Sequence, residues 1–391
     1  MHFVIGIIGL ILVLALGFLI SSDRKNIRYS PILVMLVLQF LLGFVLLRTT
    51  VGTTIVGSLA GVFDALLRFA GAGVEFVFGG IANKGSFPFF LNVLMPIVFI
   101  SAIIGILRYI KILPLFMKGV GLGLSKINGM GKLESYNGIA SAILGQSEVF
   151  ISIKKELPTL TEQRLTSMSI SAMSTVSMSI VGSYMALIQP RYVITALVLN
   201  LFGGFIIASV VNPYQLEDDD LVIEEDKEQT FFQMLGEYIL DGFHVAVTVA
   251  AMLIGFVALI AMINFIFSKL TGLTFQEILG YVFAPLAFLT GIPWKEAVDA
   301  GSLMATKLVT NEFVAMTELA KGSWDFTPRT TAILSVFLVS FANFSSIGII
   351  SGAMKGLNEE KGNLVAKHGL KILLSASLVS FLSAIITGLI F

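Results

Sequence analysis

The 391-residue chain contains no cysteine, which excludes disulfides and thiolate metal sites and leaves the redox compartment unreadable. Charge is also scarce: 13% of residues are charged, against about 25% in a soluble domain. With 56% hydrophobic residues and a mean hydropathy of +0.93, the chain cannot cover a soluble surface. The composition is that of an all-α polytopic membrane protein. Basic and acidic residues number 25 each, so no net charge argues for nucleic acid as a partner. The three histidines, His2, His244 and His368, lie far apart, so no histidine metal cluster is expected. No Walker-type glycine-rich loop is present, so nothing here points to ATP as a ligand.

What the chain has in abundance is helix-length apolar sequence. About 20 apolar residues cross the hydrocarbon core. Runs at residues 3–20, 31–47, 87–107, 165–190, 192–212, 242–268, 330–354 and 372–391 supply eight transmembrane helices. The first lacks a basic leader and a small-residue cleavage site, so it reads as a retained membrane helix, not a signal peptide. Eight crossings put the basic clusters (Arg24 to Arg28, Arg108 to Arg164, Lys355 to Lys371) on one side. That side is then the cytoplasm, with both termini outside. In residues 54–80, Asp64, Arg68 and Glu75 share one helical face, the pattern of an interfacial helix. The acidic stretch Glu217, Asp218, Asp219, Asp220, Glu224 and Glu225 reads as a solvated loop, since no glycine at EF-hand spacing supports calcium.

Against this background a few polar residues stand out. Residues 305–316, ATKLVTNEFVAM, place Lys307, Asn311 and Glu312 within one and a half helical turns. An ionisable group at mid-bilayer costs at least ~2.5–3.5 kcal/mol, so it marks a functional site by default. A second stretch, Gly145-Gln146-Ser147-Glu148, has the same character. Each precedes a helix-length apolar segment interrupted by polar residues, at 174–182 (STVSMSIVG) and 341–348 (FANFSSIG). A polar-tipped segment followed by a broken helix, twice over, is the pattern of an internally repeated transporter with its site at the midplane. Residues 136–151 are too short to span if they turn at Gly145, so a re-entrant helical hairpin is expected there, and a second over 276–317. The domain division expected is scaffold at 1–110, first hairpin and broken helix at 111–212, acidic loop and scaffold helix at 213–270, and second hairpin and broken helix at 271–391. Four hydroxyls, Ser174, Thr175, Ser177 and Ser179, argue for local unwinding, as do Asn343, Ser345 and Ser346. Phe341 and Phe344 add aromatic faces to the second break. Lys307 is expected to pair with an acid or cap carbonyls rather than touch substrate.

Residues 305–316 resemble the signature of the concentrative nucleoside transporter family, Gly/Ala-x-Lys-x-x-x-Asn-Glu-Phe-Val-Ala-Tyr/Met/Phe, at every specified position. GQSE at 145–148 is similar to that family's first hairpin motif, and SFANFSSIG at 340–348 to its seventh-helix motif. The likeness covers essentially the whole chain and is greatest to the bacterial proton-linked nucleoside permeases. It implies a homotrimer in the cell membrane, each protomer pairing a scaffold with a mobile, inverted-repeat transport domain. It further implies that Gln146, Ser147 and Glu148 bind the nucleobase, with Ile180 lining that end. Glu312, Asn343 and Ser346 would hold the ribose, with Phe341 beside it. The family's ion site falls on Ser141, Leu144, Thr175 and Val176. Sodium-coupled members carry asparagine where this chain has Ser141.

The expected function is therefore import of nucleosides by a secondary active symporter, with no cofactor and a proton as the coupling ion. Sodium is the alternative ion. A membrane-embedded hydrolase using Glu148 and Glu312 as acid and base is the alternative class; the chain lacks a metal-ligand cluster or a nucleophile–base motif to support it.

Overall fold

Apolar sequence in lipid must satisfy its own backbone hydrogen bonds, and the helix does so within one segment. The computed structural model describes residues 2–79, 88–214, 229–322 and 324–391. These are helical, with no strand among them. The acidic stretch 217–225 lies outside the described residues.

The chain begins with α1 (His2–Leu19), α2 (Tyr29–Arg48), α3 (Thr50–Phe78) and α4 (Pro96–Tyr109), the last entered through a π-helical turn at Phe90–Leu94. Then come α5 (Ile112–Asn128), α6 (Lys132–Leu144), α7 (Glu148–Ile151), α8 (Glu162–Ser174), α9 (Met178–Met185) and α10 (Pro190–Val211). A 41-residue helix, α11 (Phe231–Thr271), leads to α12 (Phe275–Leu289), α13 (Trp294–Val309), α14 (Glu312–Ala320), α15 (Pro328–Leu338), α16 (Phe344–Leu357), α17 (Glu359–Lys367) and α18 (Gly369–Ile390).

Among the described residues seven helices are long and apolar enough to cross a membrane, or eight if one bent pair is a single span. That set differs from the eight expected runs. The interfacial helix expected at 54–80 is part of α3, a 29-residue helix with length and hydropathy enough to cross. Its Asp64–Arg68 pair, 3.1 Å apart, lies exposed one turn apart on its surface. The run at 330–354 is divided between α15 and α16, at the break expected from Asn343, Ser345 and Ser346. Burial separates two kinds of helix. The α8–α9 span is 94% buried inside the protein, whereas α11 is only 11% buried and presents its apolar face outward.

The order α6, tip, α7, α8, break, α9, α10 recurs as α13, tip, α14, α15, break, α16, α18. The expected hairpin over 276–317 is thus three helices rather than two. Gly291, at φ +95°, and Pro293 end α12 and turn the chain by 115° into α13, and the polar tip comes later, at Thr310 and Asn311. Helices α12 and α13 meet backbone to backbone: a Cβ on Gly301 would lie 2.7 Å from the Gly280 carbonyl oxygen. Small residues permit that approach.

Candidate functional site

Hydroxyls end the first broken helix. Ser174 Oγ donates to the Ile170 carbonyl at 2.6 Å, and Thr175 Oγ1 lies 3.2 and 3.3 Å from those of Ser171 and Ala172. These bonds satisfy carbonyls that would otherwise need the next helical turn. The chain then restarts at side-chain caps. Ser177 Oγ accepts the Ser179 amide at 3.3 Å, Asn343 Oδ1 the Ser346 amide at 3.0 Å, and Asn311 Oδ1 the Val314 amide at 3.0 Å. The two breaks touch directly, since the Phe341 amide donates to the Thr175 carbonyl at 3.2 Å.

Glu312, the first residue of α14, is the centre of one end of the site. It is 4% exposed, and each carboxylate oxygen has a donor: Tyr184 OH reaches Oε1 at 2.7 Å and Asn343 Nδ2 reaches Oε2 at 3.1 Å. The helix N-terminus also favours negative charge. Asn343 Oδ1 is doubly used, accepting Ser345 Oγ at 2.6 Å as well as the Ser346 amide, while one N–H of its Nδ2 remains after the bond to Glu312. Ser346 is buried within this cap, and Phe341 is half-buried beside the break.

The other end is the α6–α7 tip. Gly145 has φ +112° and ψ 174°, a conformation open essentially to glycine alone, and a Cβ there would lie 2.8 Å from Glu148 Oε2. Gln146 is buried, yet its Oε1 has no partner among the described residues. A buried amide oxygen of this kind calls for a donor. Ser147 is half-buried, Glu148 is exposed, and Ile180 is buried on α9, which packs against α6. No side-chain hydrogen bond joins this end to Glu312 or Asn343 among the described residues. The flank formed by α7 and α16 is accessible, with Glu148, Ile151, Phe344, Gly348 and Ile349 exposed. Next to Glu312, the buried Phe313 stands edge-on to Tyr184 at 4.9 Å and to Phe89 at 6.4 Å.

The residues of the expected ion site also converge. Ser141 Oγ donates to the Gly138 carbonyl at 2.9 Å and lies 3.2 Å from Thr175 Oγ1, with Leu144 and Val176 buried alongside. One turn earlier, Asn137 Nδ2 bonds the Met168 carbonyl at 3.1 Å while its Oδ1 has no partner among the described residues. Lys307 caps carbonyls, as its position suggested. Its Nζ donates to the Phe337 carbonyl at 2.6 Å, Ser340 Oγ at 2.7 Å and Ser380 Oγ at 3.0 Å, with the Phe337 ring 4.5 Å away. The ammonium thereby sits on the carbonyl end of α15, where a cation is favoured. The last turn of α13 meets the second break through Lys307 and Ser340, much as the last turn of α6 meets the first through Ser141 and Thr175.

Sequence reasoning missed Tyr184, Ser340 and Ser380. Tyr184 had a legible signal, because a tyrosine inside an apolar run needs a partner for its hydroxyl. The serines had none, since serine in membrane helices commonly bonds its own backbone.

Comparisons with known proteins agree along the chain. The profile described as "Na+ dependent nucleoside transporter C-terminus" matches residues 192–388, its N-terminal counterpart residues 8–81, and one described as "Nucleoside recognition" residues 90–191. The purine nucleoside transport protein NupG of Bacillus subtilis is 37% identical over 394 residues, covering 100% of this chain and 99% of that protein. The nucleoside permease NupC of Helicobacter pylori is 29% identical, covering 98% and 96%. A solved structure of CNTnw in an inward-facing substrate-bound state superposes with a TM-score of 0.94 at 32% identity, covering 100% of this chain and 98% of that one. With matching profiles along nearly its whole length, a multi-pass helical fold and two polar tips beside two broken helices, this chain belongs to the concentrative nucleoside transporter family and is a nucleoside transporter rather than an enzyme.

Proposed function

We propose that this transporter imports nucleosides by symport, holding the ribose at Glu312, Asn343 and Ser346 beside Phe341. The base then lies against Gln146, Ser147 and Glu148, with Ile180 at that end. The observation carrying this reading is the Glu312 carboxylate, which has one donor on each oxygen and acceptor capacity left on both. Sugar hydroxyls are donors suited to that remainder, and the unpartnered Gln146 Oε1 is matched by an exocyclic amine or ring N–H. The Bacillus relative is named for purine nucleosides, which makes adenosine, guanosine and inosine the first substrates to test.

Residues 111–212 and 271–391 form the moving body in this reading, and residues 1–110 and 213–270 the scaffold through which three copies associate. The repeated helix order supports the first assignment, and the pairing of α11 with α4 the second. Lys154 and Lys155 follow α7 and Lys355 lies in the last turn of α16, so this reading puts that flank in the cytoplasm by the positive-inside rule, with both termini outside. The conformation is then inward-facing.

For coupling we favour a proton, carried by Glu148, the exposed acid beside the tip. Sodium is the second reading, supported by the two hydroxyl oxygens of Ser141 and Thr175 at 3.2 Å. Uptake of labelled uridine and adenosine into proteoliposomes at fixed membrane potential tests both. The proton reading expects uptake to follow an imposed pH gradient with choline replacing sodium. Uptake that ignores the gradient and stops without sodium reverses it.

A further inference from the structure

Tyr184 is the one residue at the sugar end that belongs to the opposite repeat. It lies on α9, whereas Glu312 begins α14 and Asn343 caps α16. Its side chain is completely buried. Its ring is fixed by Phe313, the residue next to Glu312, at 4.9 Å and 61°. Its hydroxyl is spent on Glu312 Oε1 at 2.7 Å.

From this geometry we propose that Tyr184 is the positioning residue of the sugar site, setting the rotation of the Glu312 carboxylate so that it accepts a cis-diol. The inference rests on the assignment of Glu312 to ribose made above. A carboxylate offers about four lone-pair positions. Tyr184 takes one on Oε1 and Asn343 one on Oε2, which leaves one on each oxygen. Two acceptors side by side on one plane match two adjacent hydroxyls, as on the 2′ and 3′ carbons of ribose. The terminal torsion of glutamate is broad and roughly two-fold, so a single anchor leaves the plane free to swing. Tyr184 is the second anchor. Without it Asn343 holds only Oε2, and the pairing with the second hydroxyl is lost while that with the first survives.

The test is Tyr184→Phe, which removes one oxygen and keeps the ring. KM for ribonucleosides should rise about tenfold with Vmax little changed, the loss expected for one hydrogen bond to a charged group. KM for 2′-deoxynucleosides should change much less, so the preference for ribose over 2′-deoxyribose collapses. A structural role alone would lower uptake of both sugars together, and that result, or no change in either, overturns the proposal. Should Tyr184→Phe not reach the membrane, 3-fluorotyrosine placed at 184 keeps the shape and strengthens the donor. Ribose preference should then rise, and an unchanged preference overturns the proposal equally. Glu312→Gln serves as the reference. If that variant keeps native uptake and native ribose preference, the sugar-site assignment itself fails, whatever Tyr184→Phe does.

Discussion

The amide of Phe341 donates to the carbonyl of Thr175 across 3.2 Å, so the two broken helices are joined at their breaks by a main-chain bond. No substitution short of Phe341→Pro removes that donor. Variants at the surrounding side chains therefore report on recognition with the crossing of the two helices preserved.

Glu312→Gln and Asn343→Ala should each reduce nucleoside uptake by about 10- to 100-fold, the range for losing a hydrogen bond to a charged group. Folded protein should remain in the membrane, as quantified by surface labelling or detergent chromatography. A site built to bond sugar hydroxyls rejects a substrate that lacks them. Free uracil should thus be a poor substrate, and its efficient uptake at uridine-like concentrations would contradict the assignment.

Gln146→Met and Ser147→Ala should change the ratio of uridine to adenosine uptake more than the total. Both residues sit at the tip, away from the Glu312 cluster, and Gln146 Oε1 is free to accept from a base edge. Purines and pyrimidines differ at that edge and share the sugar. Equal losses for both substrates would mean that these side chains only hold the tip.

Lys307→Met should lower stability by about 2–4 kcal/mol, because a buried carbonyl loses its donor and the end of α15 loses its cation. Ser340 and Ser380 limit the loss, since they already bond each other at 2.8 Å. Thermal unfolding in detergent should show a midpoint several degrees lower. Lys307→Arg should not restore it, as a planar guanidinium cannot reproduce three diverging contacts.

Gly145→Ala should abolish uptake through two effects, backbone strain of about 1–3 kcal/mol and displacement of Glu148. Gly348→Ala is the matched control. It also lies beside the site, but a Cβ there meets nothing within 4 Å. Its uptake should stay near that of the parent protein.

Much of this arrangement was legible beforehand for a physical reason. In a chain this apolar, every polar residue away from the loops needs an explanation, so Gln146, Glu148, Lys307, Glu312 and Asn343 announced themselves. The break after Ser174 was readable because four hydroxyls in six residues compete for helical carbonyls. Hydropathy could not divide residues 276–317 correctly. A turn at Gly291 and Pro293 and a tip at Thr310 and Asn311 both interrupt apolar sequence, and only packing distinguishes them. Nor could sequence reveal that Tyr184 meets Glu312, a contact between residues 128 positions apart. For α3 the charges say little about depth, because Asp64 and Arg68 pair locally one turn apart.

The 41 residues of α11 reach about 60 Å at the helical rise, roughly twice the hydrocarbon thickness of a bilayer. Exposed apolar side chains run almost its whole length, from Phe232 and Leu240 to Phe265 and Leu270. A rod of that length fits within the hydrocarbon of no ordinary membrane. It leans steeply, deforms the lipid around it, or carries its first turns, where Gln233, Glu237 and Asp241 lie, out among the headgroups. The acyl-chain length of the surrounding lipid therefore decides how much of this helix stays in the apolar layer.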